Sequence, residues 1–180
     1  MMMEELFIRE SRQDDLVAVE SLYKEAFPNE NLTPLVRDLL DDGLDAISLV
    51  GTIDEQLVGH VVFTKCGVAG KSVNLALLGP LAVAPSWQGQ GIGSAIVRAG
   101  LQRVEDAGVD RVYVLGDPAY YGRFGFRAES SVQPPFPFPA DLPPEWEGAW
   151  QSKNVGKTTM SGAGKLSVPP PWLKPALWAP

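Results

Sequence analysis

The sequence predicts a mixed α/β fold of the α+β type, built on a mostly antiparallel sheet. Three strand-like runs follow one another at 46–53, 56–66 and 73–83, and short turns join them, which indicates an antiparallel meander. An amphipathic helix over 92–107 precedes a buried strand over 111–115, a pattern typical of one parallel crossover. With 180 residues, the chain is long enough for one domain with a sizeable core.

The N-terminal elements are predicted from capping signals and helical periodicity. Residues 6–10 (LFIRE) form a short strand. Ser11 and Asp14 resemble a capping box, so a helix is expected to start there. Pro28 ends this helix because proline cannot continue the backbone ladder.

A second helix is predicted to begin at Thr33. Pro34 stands at its first position, where a missing N–H costs nothing. Gly43 is the expected C-terminal stop because glycine readily adopts the left-handed conformation of a helix cap.

Glycine and proline also mark the later elements. Gly79-Pro80 lies inside the third strand-like run, where a proline cannot donate to the ladder, so we expect a bulge or a local splay. Gly108 is the predicted cap of the 92–107 helix. The next segments are a short broken helix at 117–124 and two short strands near 149–153 and 164–168.

Composition excludes several classes of function. The net charge of −7 argues against nucleic acid as a partner, since binding to the phosphate backbone of a nucleic acid requires clusters of Lys and Arg. With one cysteine, Cys66, and one histidine, His60, no internal disulfide forms and a Cys/His metal site lacks ligands. The sequence shows neither a signal peptide nor an apolar run of membrane-spanning length. We therefore expect a cytoplasmic protein that binds no metal, nucleic acid or membrane.

The composition changes at residue 134. The last 47 residues hold eleven of the sixteen prolines and four of the five tryptophans. Disordered segments are poor in aromatic residues, so this tail is expected to be irregular but packed. Its tryptophans are interpreted as packing residues because aromatic side chains bury large areas in any core.

The glycine-rich stretch PSWQGQGIGSAIV (85–97) is the strongest functional signal. The first turn of a helix leaves its N–H groups without intrahelical partners, and the helix dipole adds positive charge there. Glycines let a phosphate approach such a backbone closely. The stretch is therefore interpreted as a phosphate-binding loop at the start of the 92–107 helix.

Two nucleotide-binding patterns fail on spacing. The dinucleotide fingerprint G-x-G-x-x-G matches at Gly89 and Gly91, but Ser94 occupies the position of its third glycine. A Walker pattern ending in Gly156-Lys157-Thr158 would need glycine at position 151, which is Gln151. A nucleotide-binding Rossmann protein is thus disfavoured.

Gln88-x-x-Gly91-x-Gly93 matches the [QR]-x-x-G-x-[GA] loop of the GNAT superfamily of acetyl-CoA-dependent N-acetyltransferases. LAVAPSWQGQGIGSAIV resembles the fourth strand, loop and third helix of that family. YVLGDPAYYGRFGF resembles its fifth strand, following helix and Gly-Phe signature, in the variant of a bacterial subgroup. The resemblance covers about residues 4–128. It implies one domain over 1–180, with core motifs in 1–128 and a Pro/Trp-rich end in 129–180.

The resemblance implies a GNAT fold: a twisted, mostly antiparallel sheet with helices on both faces and splayed fourth and fifth strands. The pantetheine arm of acetyl-CoA would lie along the backbone of the fourth strand, and its pyrophosphate on the amides of the loop. The residues implied in cofactor binding are Leu81, Ala82, Val83, Gln88, Gly89, Gln90, Gly91, Ile92, Gly93 and Ser94.

Tyr121, four residues before Gly125-Phe126, stands where the family commonly carries a tyrosine near the cofactor sulfur. The resemblance implies direct transfer, in which a neutral primary amine attacks the thioester and Tyr121 protonates the leaving thiolate. A phenol with an ordinary pKa near 10 is protonated at neutral pH and can donate. The amide of Val83 is the implied oxyanion donor.

The general base and the acceptor stay open at this stage. Candidate bases are Glu25, Glu30, Asp117, His60 or a water chain, although His60 is more commonly structural within such a strand pattern. The acceptor is a small-molecule or peptide amine, and a homodimer through the terminal strands is compatible with the sequence. The alternative function is a non-catalytic coenzyme A or acyl-CoA-binding module of the same fold.

Overall fold

The computed structural model describes residues 5–41, 43–157 and 163–179. Strand β1 and helices α1 and α2 come first, and three long strands follow. The described helices and strands are β1 (Leu6–Glu10), α1 (Leu16–Ala26), α2 (Thr33–Leu39), β2 (Ala46–Ile53), β3 (Gln56–Val68), β4 (Leu75–Val83), α3 (Ile92–Asp106), β5 (Arg111–Leu115), α4 (Pro118–Tyr121), β6 (Arg127–Ala128), β7 (Val132–Gln133), β8 (Trp150–Asn154) and β9 (Gly164–Ser167).

The sheet confirms the predicted fold class. Among the described strands the order is β1-β2-β3-β4-β5-β8-β6, while β9 pairs with β3 and β7. β1, β2 and β3 pair antiparallel, whereas β4 and β5 run parallel with Leu75–Leu78 opposite Arg111–Val114. β8 is antiparallel to β5 and β6. A mostly antiparallel sheet also rules out the Rossmann alternative, whose sheet is mostly parallel.

The chain forms two compact units. The first contains the described residues up to Thr64 together with Gly79–Arg103, and the second contains Lys65–Leu78 and the described residues from Val104 onward. That residues 1–180 form a single domain stays a prediction.

In the first unit, helices cover both faces of the β2–β3 sheet. Successive strand residues point to opposite faces. His60 bonds to Tyr23 of α1, while a Cβ added at the adjacent Gly59 would meet the side chain of Ile96 of α3. α1 and α3 therefore lie on opposite faces.

Three glycines allow α3 to approach the sheet closely. A Cβ at Gly51 would lie 2.9 Å from Ile96 Cδ1, and one at Gly59 would clash with the same methyl group. On the helix side, a Cβ at Gly100 would overlap the ring of Phe63, lying 2.7 Å from its Cζ. The aromatic ring thus fills the space that a side chain on the helix would take.

In the second unit, the Pro/Trp-rich end is packed, as the sequence predicted. Trp150, Trp172 and Trp178 are buried, and their rings contact one another at centroid distances of 5.8 and 5.9 Å. Trp150 also stacks on Tyr113 at 5.5 Å. The two expected strands appear as β8 and β9, while the two-residue strands β6 and β7 carried no sequence signal.

Two capping predictions were wrong. The N-terminal box closes on Arg12 and Asp15 rather than Ser11 and Asp14, because a 3-10 turn over Gln13–Asp15 precedes α1 and the Asp15 carboxylate accepts from the Arg12 amide at 2.7 Å. Helix α2 ends at Leu39, well before Gly43. The Asp41 side chain accepts from the Gly43 amide at 3.0 Å, so a side-chain turn competes with the helix there.

The predicted ends of α1 and α3 agree with the structure. α1 ends before Pro28. Gly108 has φ of +84°, and the amides of Gly108 and Val109 donate to the carbonyls of Glu105 and Val104, which is a Schellman cap. β4 runs through the cis Gly79–Pro80 peptide, with Gly79 at φ +147°, and the expected splay there stays a prediction.

Gly100→Ala should destabilise the protein by about 1–3 kcal/mol, because the overpacking of the new methyl against Phe63 exceeds the gain of about 1 kcal/mol in helix propensity. Urea unfolding measures the change. Adding Phe63→Leu should recover part of the loss, since the smaller side chain leaves room for the methyl. A Gly100→Ala variant at least as stable as the parent would contradict the close packing of α3.

Candidate active site

The segment between β4 and α3 presents its backbone to solvent. The amide of Ala84 donates to Val58 at 2.8 Å and fixes the end of β4 to β3. A short 3-10 turn over Pro85–Trp87 follows, and then Gly89 and Gly91 take φ of +76° and +82°. Apart from the two adjoining residues, no described atom lies within 4 Å of a Cβ built on either glycine, so the loop is open as a phosphate site requires.

The amides at the start of α3 are available for a ligand. The first helical bond runs from the Ala95 amide to the Gly91 carbonyl at 3.0 Å. Within the described parts of the chain, no hydrogen bond occupies the amides from Gly89 to Ser94. These are the unpaired donors that a helix start supplies. All of the predicted loop residues therefore lie together in the first unit.

Gln88 makes two hydrogen bonds within the loop segment. Its amide donates to the Pro85 carbonyl at 3.4 Å, so it already has a weak partner. Its side-chain amide donates to the Val83 carbonyl at 3.0 Å and ties the loop to the end of β4. The structure thus gives Gln88 a bracing contact within the loop itself.

The predicted pantetheine strand backs onto an apolar cluster. Ala82 and Ala84 are buried with Val19, Tyr23 and Val50, while Leu81 and Val83 on either side of Ala82 are half-buried. This packing holds the strand from the face of α1 and α2. Its main chain is therefore fixed by contacts that do not involve a cofactor.

Tyr121 lies at the end of α4 in the second unit. Its half-buried ring packs on Gly116, where an added Cβ would lie 2.5 Å from Cε2, and contacts the rings of Phe124 and Phe126. Burial, with a smaller effect of Tyr120, raises the pKa of the Tyr121 phenol above its ordinary value. The phenol is therefore protonated at neutral pH.

His60 is fully buried and bonded at both ring nitrogens. Its Nδ1 lies 2.8 Å from the Tyr23 hydroxyl and its Nε2 lies 2.8 Å from the Ser48 hydroxyl. Burial lowers the pKa of His60 to about 3, although Asp15 opposes the shift. The ring is neutral at pH 7 and links α1, β2 and β3, which favours a structural role.

The carboxylate candidates differ in their surroundings. The Asp117 side chain accepts from the Ala119 amide at 2.9 Å and caps α4. Glu25, in the last turn of α1, and Glu30, in the segment before α2, are exposed. Both carboxylates are therefore in contact with solvent.

The sequence and the fold of this chain match known acetyltransferases. Residues 16–126 match the model of the acetyltransferase (GNAT) family. The protein named uncharacterized N-acetyltransferase YhbS from Escherichia coli (strain K12) is 36% identical over 122 residues, which cover 67% of this chain and 73% of that protein. This chain belongs to the GNAT acetyltransferase family.

Solved structures of GNAT family proteins superpose closely on this acetyltransferase. The crystal structure of YhbS from Escherichia coli in complex with CoA has a TM-score of 0.84 and 28% identity, covering 97% of this chain and 95% of that one. A GNAT family acetyltransferase from Brucella melitensis in complex with acetyl-CoA has a TM-score of 0.75 and 25% identity, covering 94% and 99%. The resemblance read from the two motifs is thereby confirmed.

Further features of this GNAT protein concern its thiol, its metal-ligating side chains and its helix lengths. Cys66 is buried, and burial raises the pKa of its thiol, so it is a poor nucleophile. The described residues contain no group of three His, Cys, Asp or Glu side chains placed to hold a metal ion. Nor does any described helix have the length and apolarity to cross a membrane.

The partners of His60 were missed by sequence reasoning. Tyr23 lies in the predicted helix that Pro28 ends, and Ser48 lies in the strand-like run 46–53, where neither residue stands out in the sequence. Their hydroxyls meet the same imidazole because Tyr23, Ser48 and His60 come from three different elements. No local pattern could reveal this contact.

The neutral state of His60 predicts acid sensitivity. Its pKa is about 3 in the folded protein and near 6.5 when unfolded, so the unfolded state binds more protons as the pH falls below 6.5. The free energy of unfolding should fall by about 2 kcal/mol from pH 6.5 to pH 5. Urea unfolding across this range measures it.

Since His60 is the one histidine in the sequence, a His60→Gln variant is a direct control. It should be less stable at pH 7, because it cannot keep both hydroxyl contacts, but nearly independent of pH between 7 and 5. An equally steep pH dependence in the variant would refute the assignment.

Proposed function

We propose that this protein transfers the acetyl group of acetyl-CoA to a primary amine by direct attack. The observation that carries the proposal is the open loop between β4 and α3, whose free amides from Gly89 to Ser94 suit a pyrophosphate. Family membership and the CoA and acetyl-CoA in the two similar structures support it.

Each part of the co-substrate has a proposed partner. The pyrophosphate binds the loop amides, and the pantetheine arm follows the main chain of β4, whose neighbour β5 is expected to splay away beyond the paired segment. Binding uses backbone groups, which explains how apolar residues can serve it. The proposed contacts are made by Leu81, Ala82, Val83, Gln88, Gly89, Gln90, Gly91, Ile92, Gly93 and Ser94, with Gln88 acting mainly as a brace.

In the proposed reaction, the amine nitrogen attacks the thioester carbonyl and the tetrahedral oxyanion accepts from the Val83 amide. The C–S bond breaks, and the Tyr121 phenol gives its proton to the leaving thiolate. The proton that the attacking nitrogen loses passes to water or to exposed Glu25 or Glu30, and the Tyr121 phenolate takes up a proton from water to complete the cycle. Burial of Cys66 supports direct attack, because an acyl-cysteine intermediate would need a reactive thiol.

On the acceptor side, the net charge of −7 favours a cationic amine, either a small molecule or a peptide. A reducing cytoplasmic setting suits a protein with one buried thiol. A homodimer is compatible with this proposal and would appear as twice the monomer mass in solution.

A panel of amines with acetyl-CoA, read by release of free thiol, tests the activity itself. Tight acetyl-CoA binding without thiol release from any amine would instead support the non-catalytic module.

Tyr121→Phe should lower turnover by about 10²–10⁴-fold while leaving acetyl-CoA affinity unchanged, because only proton donation to the thiolate is lost. Free-thiol release and calorimetry give the two values. Tyr120→Phe is the matched control, since it removes the same atom from the adjacent ring and should keep turnover. Equal turnover in Tyr121→Phe and the parent would remove Tyr121 from the mechanism.

Gly91→Ala should weaken acetyl-CoA binding by about ten-fold or more, equivalent to about 1.4 kcal/mol, because alanine disfavours φ of +82° and shifts the amides of the loop. Gly70→Ala is the control. Gly70 has φ of +78° and equally open space around a built Cβ, but it lies in the turn after β3. Both variants should lose similar stability, and only Gly91→Ala should lose affinity. Equal affinities would locate the pyrophosphate elsewhere.

A further inference from the structure

Three cationic side chains meet at one cavity in the second unit. The cavity has a volume of about 370 Å³ and is lined by Arg111, Gly125, Arg127, Ser152, Lys153 and Asn154. None of these residues is acidic, although the chain has 22 Asp and Glu against 15 Lys and Arg. The cluster is therefore positively charged in a protein whose net charge is −7.

Only one of the three cations is neutralised. Arg111 pairs with the Glu129 carboxylate at 3.3 Å and donates from Nε to Asn154 Oδ1 at 2.7 Å. Glu129 also accepts from the Ser152 hydroxyl at 2.6 Å and from the amides of Ser131 and Val132, so both of its carboxylate oxygens have partners. Across the described ranges of the chain, the side chains of Arg127 and Lys153 form neither an ion pair nor a hydrogen bond. Two positive charges at the cavity are left without a counter-charge.

Lys153 is held at the cavity wall by the backbone that follows α4. A Cβ added at Gly125 would lie 2.8 Å from Lys153 Nζ, so the ammonium group rests where a side chain would otherwise be. Gly125 has φ of +93°, which also favours glycine. Half-burial of Lys153 between these contacts restricts the positions its charge can take.

The remaining donors suit an oxyanion. Asn154 uses its side-chain oxygen for Arg111, which leaves its NH₂ group to donate elsewhere. Arg127 supplies a planar fork of N–H donors, and Lys153 a compact ammonium. Charge-assisted bonds from such groups to phosphate oxygens are short and strong.

We propose that this cavity binds a small phosphate-bearing anion. A phosphate ester carries a charge of about −1.5 to −2 at pH 7, which matches the two uncompensated cations. A volume of about 370 Å³ lies in the range of small-molecule sites, about 300–1,000 Å³. The lining residues come from β5, β6, β8 and the turn at Gly125, and none of them belongs to the loop Gln88–Ser94.

The competing explanation is protection of a strand edge. Among the described strands β6 pairs only with β8, opposite Gln151 and Ser152, and lysines on open edges discourage pairing with other chains. Edge protection requires positive charge alone and predicts no specific binding. An anion site predicts a saturable response to a multivalent oxyanion. The two explanations therefore differ in a measurable way.

The test is thermal unfolding of the full chain in 0–20 mM sodium phosphate, with sodium chloride added to keep the ionic strength constant. Phosphate should raise Tm by a saturating shift of about 3–6 °C. The double variant Arg127→Gln/Lys153→Gln should lose more than half of this shift. Lys157→Gln/Lys165→Gln removes the same charge from exposed residues outside the cavity lining and should keep it.

Three results would overturn the site: no shift beyond that of chloride, equal shifts in the two double variants, or a ten-fold loss of acetyl-CoA affinity in Arg127→Gln/Lys153→Gln. The last would assign these cations to the co-substrate. Because the loop between β4 and α3 is unchanged in both double variants, phosphate bound there contributes equally to both. Turnover with acetyl-CoA is measured separately, so failure of this site and failure of the proposed reaction are distinguishable.

Discussion

The close approach of α3 to the sheet is the constraint on which the proposed cofactor site depends. Gly51, Gly59 and Gly100 remove side chains at the contact, and Ile96 and Phe63 occupy the space. Protein interiors are packed about as densely as organic crystals, so a displacement at one contact displaces the neighbouring residues as well. The position of the first turn of α3, and thus of its free amides, is therefore set by packing far along the helix.

The opposite face of the same sheet is held by polar contacts. The neutral imidazole of His60 joins hydroxyls from α1 and β2, and the apolar cluster beside it includes Ala82 and Ala84 of the β4 end. A buried polar group is tolerated when both of its nitrogens are paired. The protein can thus fix the main chain of β4 before any ligand binds, and preorganised backbone donors are the most effective kind for binding and catalysis.

Charge is distributed unevenly over this acidic acetyltransferase. Arg37 pairs with Glu20 and Arg103 pairs with Glu10 at the surface, and such exposed pairs contribute little to stability. Arg127 and Lys153 differ because they line a cavity that has no acidic residue. The uneven placement is what separates a candidate ligand site from an ordinary solvated surface.

The sequence by itself determined the family, the order of the elements and the loop residues, because glycine spacing, strand alternation and helical periodicity are local signals. It also located Gly108 and the packed tryptophans. It misplaced the caps at Ser11 and Gly43, where the side chains of Asp15 and Asp41 compete locally for backbone donors. Only the tertiary structure joined Tyr23, Ser48 and His60, or Arg111, Arg127 and Lys153, since these residues are distant in sequence and meet only once the chain has folded.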